Sequence, residues 1–172
     1  MRRLTTRGGG ATRTLDNLIE SVFVSELIAP SPDVWLLSPW ISDIPVVDNR
    51  GGEVISLIPG APARHLRLTE VLLELARRGS HVHVLARNDP RHQSVLDRLR
   101  GTPGAADSVD VQIIDQLHDK GLLTSRIHVQ GSMNFTHHGR AVNEEGITVT
   151  GDADALSRAR LDYQARFGML PR

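Results

Sequence analysis

The chain has 172 residues, 40% of them hydrophobic and 23% charged, a size and make-up suited to one soluble domain with a real core. Basic and acidic residues number twenty each. That balance excludes a global field driving the protein onto nucleic acid or an anionic membrane, so a polyanion has to be met by a local patch. Cysteine is absent, which excludes disulfides and thiolate metal sites and fits a cytoplasmic setting.

In chain order, residues 1–11 are rich in Gly and Thr with no apolar period and read as a flexible arm. Arg2, Arg3 and Arg7 are not followed by an apolar run, so the segment is a poor signal peptide. Thr14 or Asp16 then caps a helix to about Leu27, with Leu15, Leu18, Ile19, Val22 and Phe23 on one face. Val34 to Ser38 reads as a buried strand stopped by Pro39. Ile41 to Pro62 reads as a long loop holding a short strand at Glu53 to Leu57. The spacing of Leu68, Val71, Leu72 and Leu75 predicts an amphipathic helix from Leu66 to Arg78, closed by Gly79. A strand at His81 to Ala86 and a helix from Pro90 to Leu99 follow, then a strand at Val109 to Ile114. Two short strands between Leu117 and Val129 meet at a turn near Ser125-Arg126. A strand at Ile147 to Thr150 precedes a closing helix from Asp152 to Phe167, capped by Asp152. Alternating strands and helices predict an α/β layered fold, and no stretch is apolar and long enough to span a bilayer.

Chemistry-bearing residues concentrate late in the chain. His118-Asp119-Lys120, Gly131-Ser132-Met133-Asn134 and Asn143-Glu144-Glu145 each set two polar groups at i and i+2. On a strand such pairs share a face, so these side chains are expected to converge on one pocket. Lys120 is the only lysine; the other basic residues are all arginine. A lone lysine suggests a place for a compact, rotatable ammonium, although chance survival would leave the same trace.

His-x-Lys followed by Gly-Ser-x-Asn and a downstream Asn-x-Glu resembles the signature of the phospholipase D superfamily. The stretch from His118 to Glu145 is most similar to its small bacterial nucleases, which carry one motif copy per chain. The resemblance implies a phospholipase D-like mixed sheet flanked by helices over residues 12–172. It also implies a homodimer with one site built across its two-fold axis. The implied activity is a metal-independent phosphodiesterase, a nuclease acting on DNA more readily than RNA, with no cofactor and no membrane. Implied catalytic residues are His118 as nucleophile, Lys120 and Asn134 on the phosphate oxygens, Ser132 as a hydroxyl donor and Glu145 as partner of the imidazole. Glu144 lies one register off. The sequence departs from the family pattern at Ser125, where an aspartate is usual, and in a segment before Gly131 that is about one residue short.

Asn143, His137 and Trp40 are candidate substrate contacts; His137 lines the rim or lies outside it, and Trp40 stacks a base or packs. His81 and His83 form a His-x-His pair without a third ligand at sensible spacing, which favours a structural role. Arg64, Arg67, Arg77, Arg78, Arg87 and Arg91 are candidates for a basic rim. Leu37 to Pro45 resembles the phospholipase D-like component of bacterial DNA-modification and restriction clusters, which implies foreign-DNA defence with protein partners. A phospholipase or phosphatidyl transferase, and a non-hydrolytic nucleic-acid-binding subunit, are the alternatives.

Overall fold

A computed structural model of the chain describes residues 2–5, 9–136 and 146–168. Its centre is made by two almost wholly apolar runs, β2 (Asp33–Leu37) and β5 (His81–Ala86). They lie parallel, with Val34 opposite Val82 and Leu36 opposite Val84. Strands covered on both faces read as continuous apolar runs rather than alternating ones, and this pair follows that rule. β6 (Val109–Ile113) extends the parallel half beyond β5. On the far side of β2 the sheet becomes antiparallel through β7 (Gly121–Leu123), β8 (His128–Gly131), β9 (Gly146–Thr150) and β1 (Arg2–Thr5). The seven strands run in the order β1-β9-β8-β7-β2-β5-β6.

Helices cover both faces. α1 (Gly9–Ile28), α2 (Leu68–Arg77) and α3 (Gln93–Gly101) pack Ile19, Phe23, Leu72, Leu75 and Leu96 against Val34, Leu36, Val82 and Val84. α4 (Ala153–Phe167) lays Leu156 and Tyr163 on the opposite face, against Trp35, Leu37, Leu85 and Leu123. None of the described helices is long and apolar enough to cross a membrane. Gly79 ends α2 at φ +94°, and its N–H and that of Ser80 return to the Ala76 and Leu75 carbonyls. This is the left-handed stop that the Gly position predicts.

Three expectations change. Residues 1–11, read as an arm, contain β1, paired along β9, and the first turn of α1, which begins at Gly9 rather than at Thr14 or Asp16. The strand expected at Glu53 to Leu57 is a 3₁₀ turn over Glu53–Ser56. The strand of that region is instead β3 (Pro45–Val47), paired with β4 (Leu66–Arg67). Buried Asn49 explains the loop: its amide donates to the Pro62 carbonyl at 2.9 Å and its oxygen accepts from Val54 N–H at 2.9 Å. One side chain thus replaces the backbone ladder a strand would have used.

The β7–β8 turn shows how the chain manages with Ser125. Thr124 Oγ1 accepts from the N–H groups of Arg126 and Ile127, both at 3.2 Å, and Ser31 Oγ accepts from Ser125 N–H at 3.0 Å. Arg126 pairs with Glu26 at 2.7 Å and donates to the Ala29 carbonyl at the end of α1. Glu26 is only 1% exposed and is otherwise met by Ser31 N–H at 2.9 Å. Removing one partner strands a buried carboxylate. Arg126→Ala is therefore expected to cost about 2–3 kcal/mol in urea unfolding, and Lys at 126 to recover part of it.

Candidate active site

β7 and β8 form an antiparallel hairpin, with Gly121 opposite Gln130. The residues before β7 and those after β8 therefore leave the same end of the sheet. His118, Asp119 and Lys120 precede β7; Ser132 and Asn134 follow β8. Neither motif lies on a strand, so shared face is not what groups them; the shared end of one hairpin is. The Lys120 carbonyl still accepts from Gly131 N–H at 3.2 Å, which extends the ladder by one rung into the motif. This end is also where β2 and β5 finish, the carboxyl edge at which open α/β sheets collect ligands.

His118 is exposed and Lys120 half-buried, and both line one cleft of about 370 Å3. His128, Gln130 and Gly131 of β8 contribute to it, and Ala159, Asp162, Tyr163 and Arg166 of α4 close the other side. Lys120 Nζ donates to the His118 carbonyl at 3.0 Å. Arg166 pairs with Asp119 and with Asp162, at 3.2 Å for the latter, so the cleft's two carboxylates are both engaged. Lys120 has no carboxylate partner among the described residues. Both faces of the His118–Lys120 segment are thus tied down, through Asp119 to α4 and through Lys120 to β8.

Ser132 and Asn134 do not line this cleft. Ser132 N–H donates to the Gly146 carbonyl at 3.1 Å, and its Oγ accepts from Gly146 N–H at 3.0 Å and makes a long contact, 3.5 Å, to the same carbonyl, weak enough for an incoming acceptor to replace. Asn134 is half-buried, with its side-chain oxygen enclosed and without a partner among the described residues. Gly131 leaves no room for a side chain between β8 and β9: a Cβ there would run into the Gly146 carbonyl oxygen and come within 2.8 Å of Ile147 Cα. Asn143, Glu144, Glu145 and His137 lie outside the described residues.

Trp40 is fixed by its ring N–H, which donates to Asp89 at 3.1 Å, and the Arg87 guanidinium lies over its face 5.2 Å from the centroid. Arg87 in turn donates from Nε to the Leu117 carbonyl at 2.7 Å, and its Nη2 stands 3.1 and 3.2 Å from the two His118 ring nitrogens. The sequence had placed Arg87 only in a general basic rim. That rim does not form: Arg64 pairs with Glu70, Arg77 and Arg78 with Glu74, Arg91 with Asp89, and Arg67 binds the Asp43 carbonyl. Local acids consume it, leaving Arg87 facing the site.

Sequence reasoning also passed over His128 and Tyr163. His128 Nε2 lies 3.0 Å from the Tyr163 hydroxyl at the cleft floor. Burial, and then Asp119, push the phenol well above its ordinary range, so it stays protonated and can donate to the imidazole. Burial lowers His128, and burial followed by His81 lowers His83, which stacks on Trp35 at 4.0 Å. His81 and His83 stack on each other, and no group of three metal-ligating side chains gathers among the described residues. Both buried histidines hold a proton less readily in the folded chain, so below about pH 6.5 the unfolded chain binds more protons and stability is lost as pH falls. The melting temperature is expected to drop by several degrees from about pH 7.5 to about pH 5.5, and His128→Gln to flatten the curve.

The chain has the phospholipase D-like α/β fold: a mixed sheet, helices on both faces, and the motif residues at one hairpin end. NucT from Helicobacter pylori superposes on 95% of this chain and 94% of its own, with a TM-score of 0.63 at 16% identity. Nuc from Salmonella typhimurium, a phospholipase D family member, gives 0.58 at 15% identity over 97% and 93%. TrmBL2, an archaeal chromatin protein, gives 0.52 at 12% identity over 98% of this chain and 52% of its own. In sequence, a mitochondrial cardiolipin hydrolase from Chlamydomonas reinhardtii is 28% identical over 105 residues. That match takes in 60% of this chain and only 45% of the hydrolase, so the chain spans less than half of that relative. No protein-family model matches.

Proposed function

We propose that this protein is a phosphodiesterase of the phospholipase D superfamily, a nuclease that cleaves through a phosphohistidine on His118. The observation that carries this reading is the exposed His118 imidazole beside Lys120, at the hairpin end where Ser132 and Asn134 also emerge. The superposition on NucT and on Nuc, a phospholipase D family member, over nearly their whole length supports it. A phosphodiester repels nucleophiles by its charge, so a neutral imidazole flanked by cations suits the attack.

In this reading an imidazole nitrogen of His118 bonds to phosphorus. The departing oxygen takes a proton from His118 of a second copy across a two-fold axis. That second imidazole, now neutral, removes a proton from water, and the resulting nucleophile breaks the phosphorus–nitrogen bond. Lys120 and Asn134 hold the non-bridging oxygens, Ser132 turns its hydroxyl from the Gly146 carbonyl to donate to the phosphate, and Glu145 orients the imidazole. Asn143, His137 and Trp40 are the proposed outer contacts with substrate. The resemblance of Leu37 to Pro45 to a phospholipase D-like restriction-cluster component supports a role in foreign-DNA defence with protein partners.

A lipid reading rests on a separate observation, the likeness to a cardiolipin hydrolase. The two separate in one panel: the purified protein with EDTA, offered single- and double-stranded DNA, RNA and cardiolipin vesicles. Cleavage of nucleic acid is the expected result. Turnover of cardiolipin alone moves the substrate to lipid, and binding of nucleic acid without turnover of anything overturns the enzymatic reading.

A further inference from the structure

Arg87 is the one member of the expected rim whose cation is aimed at the nucleophile. It leaves the carboxyl end of β5 directly, and its backbone is held on both sides: its N–H donates to the Pro39 carbonyl at 3.3 Å, and its carbonyl accepts from His92 at 2.6 Å. The side chain is fixed as well, by Nε on the Leu117 carbonyl and by the Trp40 face beneath the guanidinium. No carboxylate among the described residues neutralises it. An arginine with a tethered stem, a stacked plane and an unspent charge is set up for an anion that arrives from outside.

The contact with His118 shows where that anion would sit. Nη2 is almost equidistant from both ring nitrogens. In a neutral ring only one of these nitrogens has an in-plane lone pair, and a donor set midway between the two lies off its axis, so the bond is poorly aligned. A charged phosphate oxygen makes a hydrogen bond roughly twice as strong as a neutral acceptor does. Exchange of the ring for phosphate is therefore downhill. An imidazole in attacking position stands about 3–3.5 Å from phosphorus, which brings the non-bridging oxygens into the arc swept by the same guanidinium.

We infer that Arg87 is a further substrate-binding residue of the site, one that grips a non-bridging oxygen of the phosphodiester attacked by His118, with Trp40 as the plate that keeps its plane in place. The inference rests on the proposed function for its substrate. Lys120 then supplies a point charge from the cleft side and Arg87 a planar fork from the β5 side.

The test compares wild type with Arg87→Lys and Arg87→Ala on single-stranded DNA and on bis(p-nitrophenyl) phosphate, with melting curves for each. Expected is a loss of kcat/KM of about 10²-fold for Arg87→Ala, a smaller loss for Arg87→Lys, unchanged melting, and partial rescue of the alanine variant by added guanidinium. If Arg87→Ala stays within about twofold of wild type, the inference is overturned while the phosphodiesterase stands. If the alanine variant melts early, Arg87→Lys decides: full activity with wild-type stability overturns the inference. If wild type turns over neither substrate, the proposed function falls, and calorimetric binding of inorganic phosphate decides for Arg87. Binding weakened about tenfold or more in Arg87→Ala supports it, and unchanged binding overturns it.

Discussion

Replacing His118 with alanine is expected to lower phosphodiester turnover by about 10⁴-fold or more, with a melting temperature unchanged within about 2 °C. The chemical half follows from the loss of the bond-forming atom; if the site is shared, it removes the leaving-group acid too, because the same substitution strikes both copies. The structural half follows from exposure: the ring is solvent-exposed and its hydrogen-bond partner among the described residues is Arg87, and such surface positions usually shift stability by less than half a kcal/mol. Mixing adds a sharper measurement. When wild-type subunits exchange with excess His118→Ala, activity should fall with the square of the wild-type fraction, since a productive site needs two intact imidazoles. A linear fall would place the whole reaction within one copy. Retention of a tenth of the activity in the single variant would remove His118 from the chemistry altogether.

The second large effect is expected at Gly131. Alanine there forces apart β8 and β9, because the atoms its Cβ meets are backbone, the Gly146 carbonyl and Ile147 Cα, which have no rotamer in which to retreat. Overpacking against a fixed wall costs about 1–3 kcal/mol, and the Ser132–Gly146 exchange next to it is at stake as well. Gly131→Ala should therefore lower the urea midpoint by that amount and reduce activity at least tenfold. Wild-type stability in this variant would show that the strands have more room than the geometry implies. The glycine of Gly-Ser-x-Asn is thus explained by space between two strands and not by an unusual backbone angle.

Much of the fold was legible because its elements announce themselves by period. α2 has leucines at helical spacing and a glycine at its end, β5 is a short valine- and leucine-rich run that directly follows that glycine turn, and Asp152 caps α4 by accepting from Ala155 N–H at 2.9 Å. What escaped does not depend on period. β1 exists through its pairing with β9, a partner more than 140 residues away in the chain. The loop before α2 is organised by the amide of Asn49, which looks in the sequence like any turn residue. Motif spacing singled out His118 and Lys120, which line one cleft, yet the strand-face argument behind it does not hold, since both lie just outside β7. Arg87 shows the same limit. Among many arginines its composition says nothing; only the ends of β2 and β5, meeting beside Leu117, single it out from five others held by local partners.

Lys120 carries a practical consequence. It is the single lysine of the chain and it opens onto the cleft beside His118. An amine-selective acylating reagent therefore finds one side-chain target, and that target is at the site itself. Once the α-amino group is told apart by digestion, the rate of labelling becomes a direct gauge of cleft occupancy, and a bound anion that engages the ammonium should slow it.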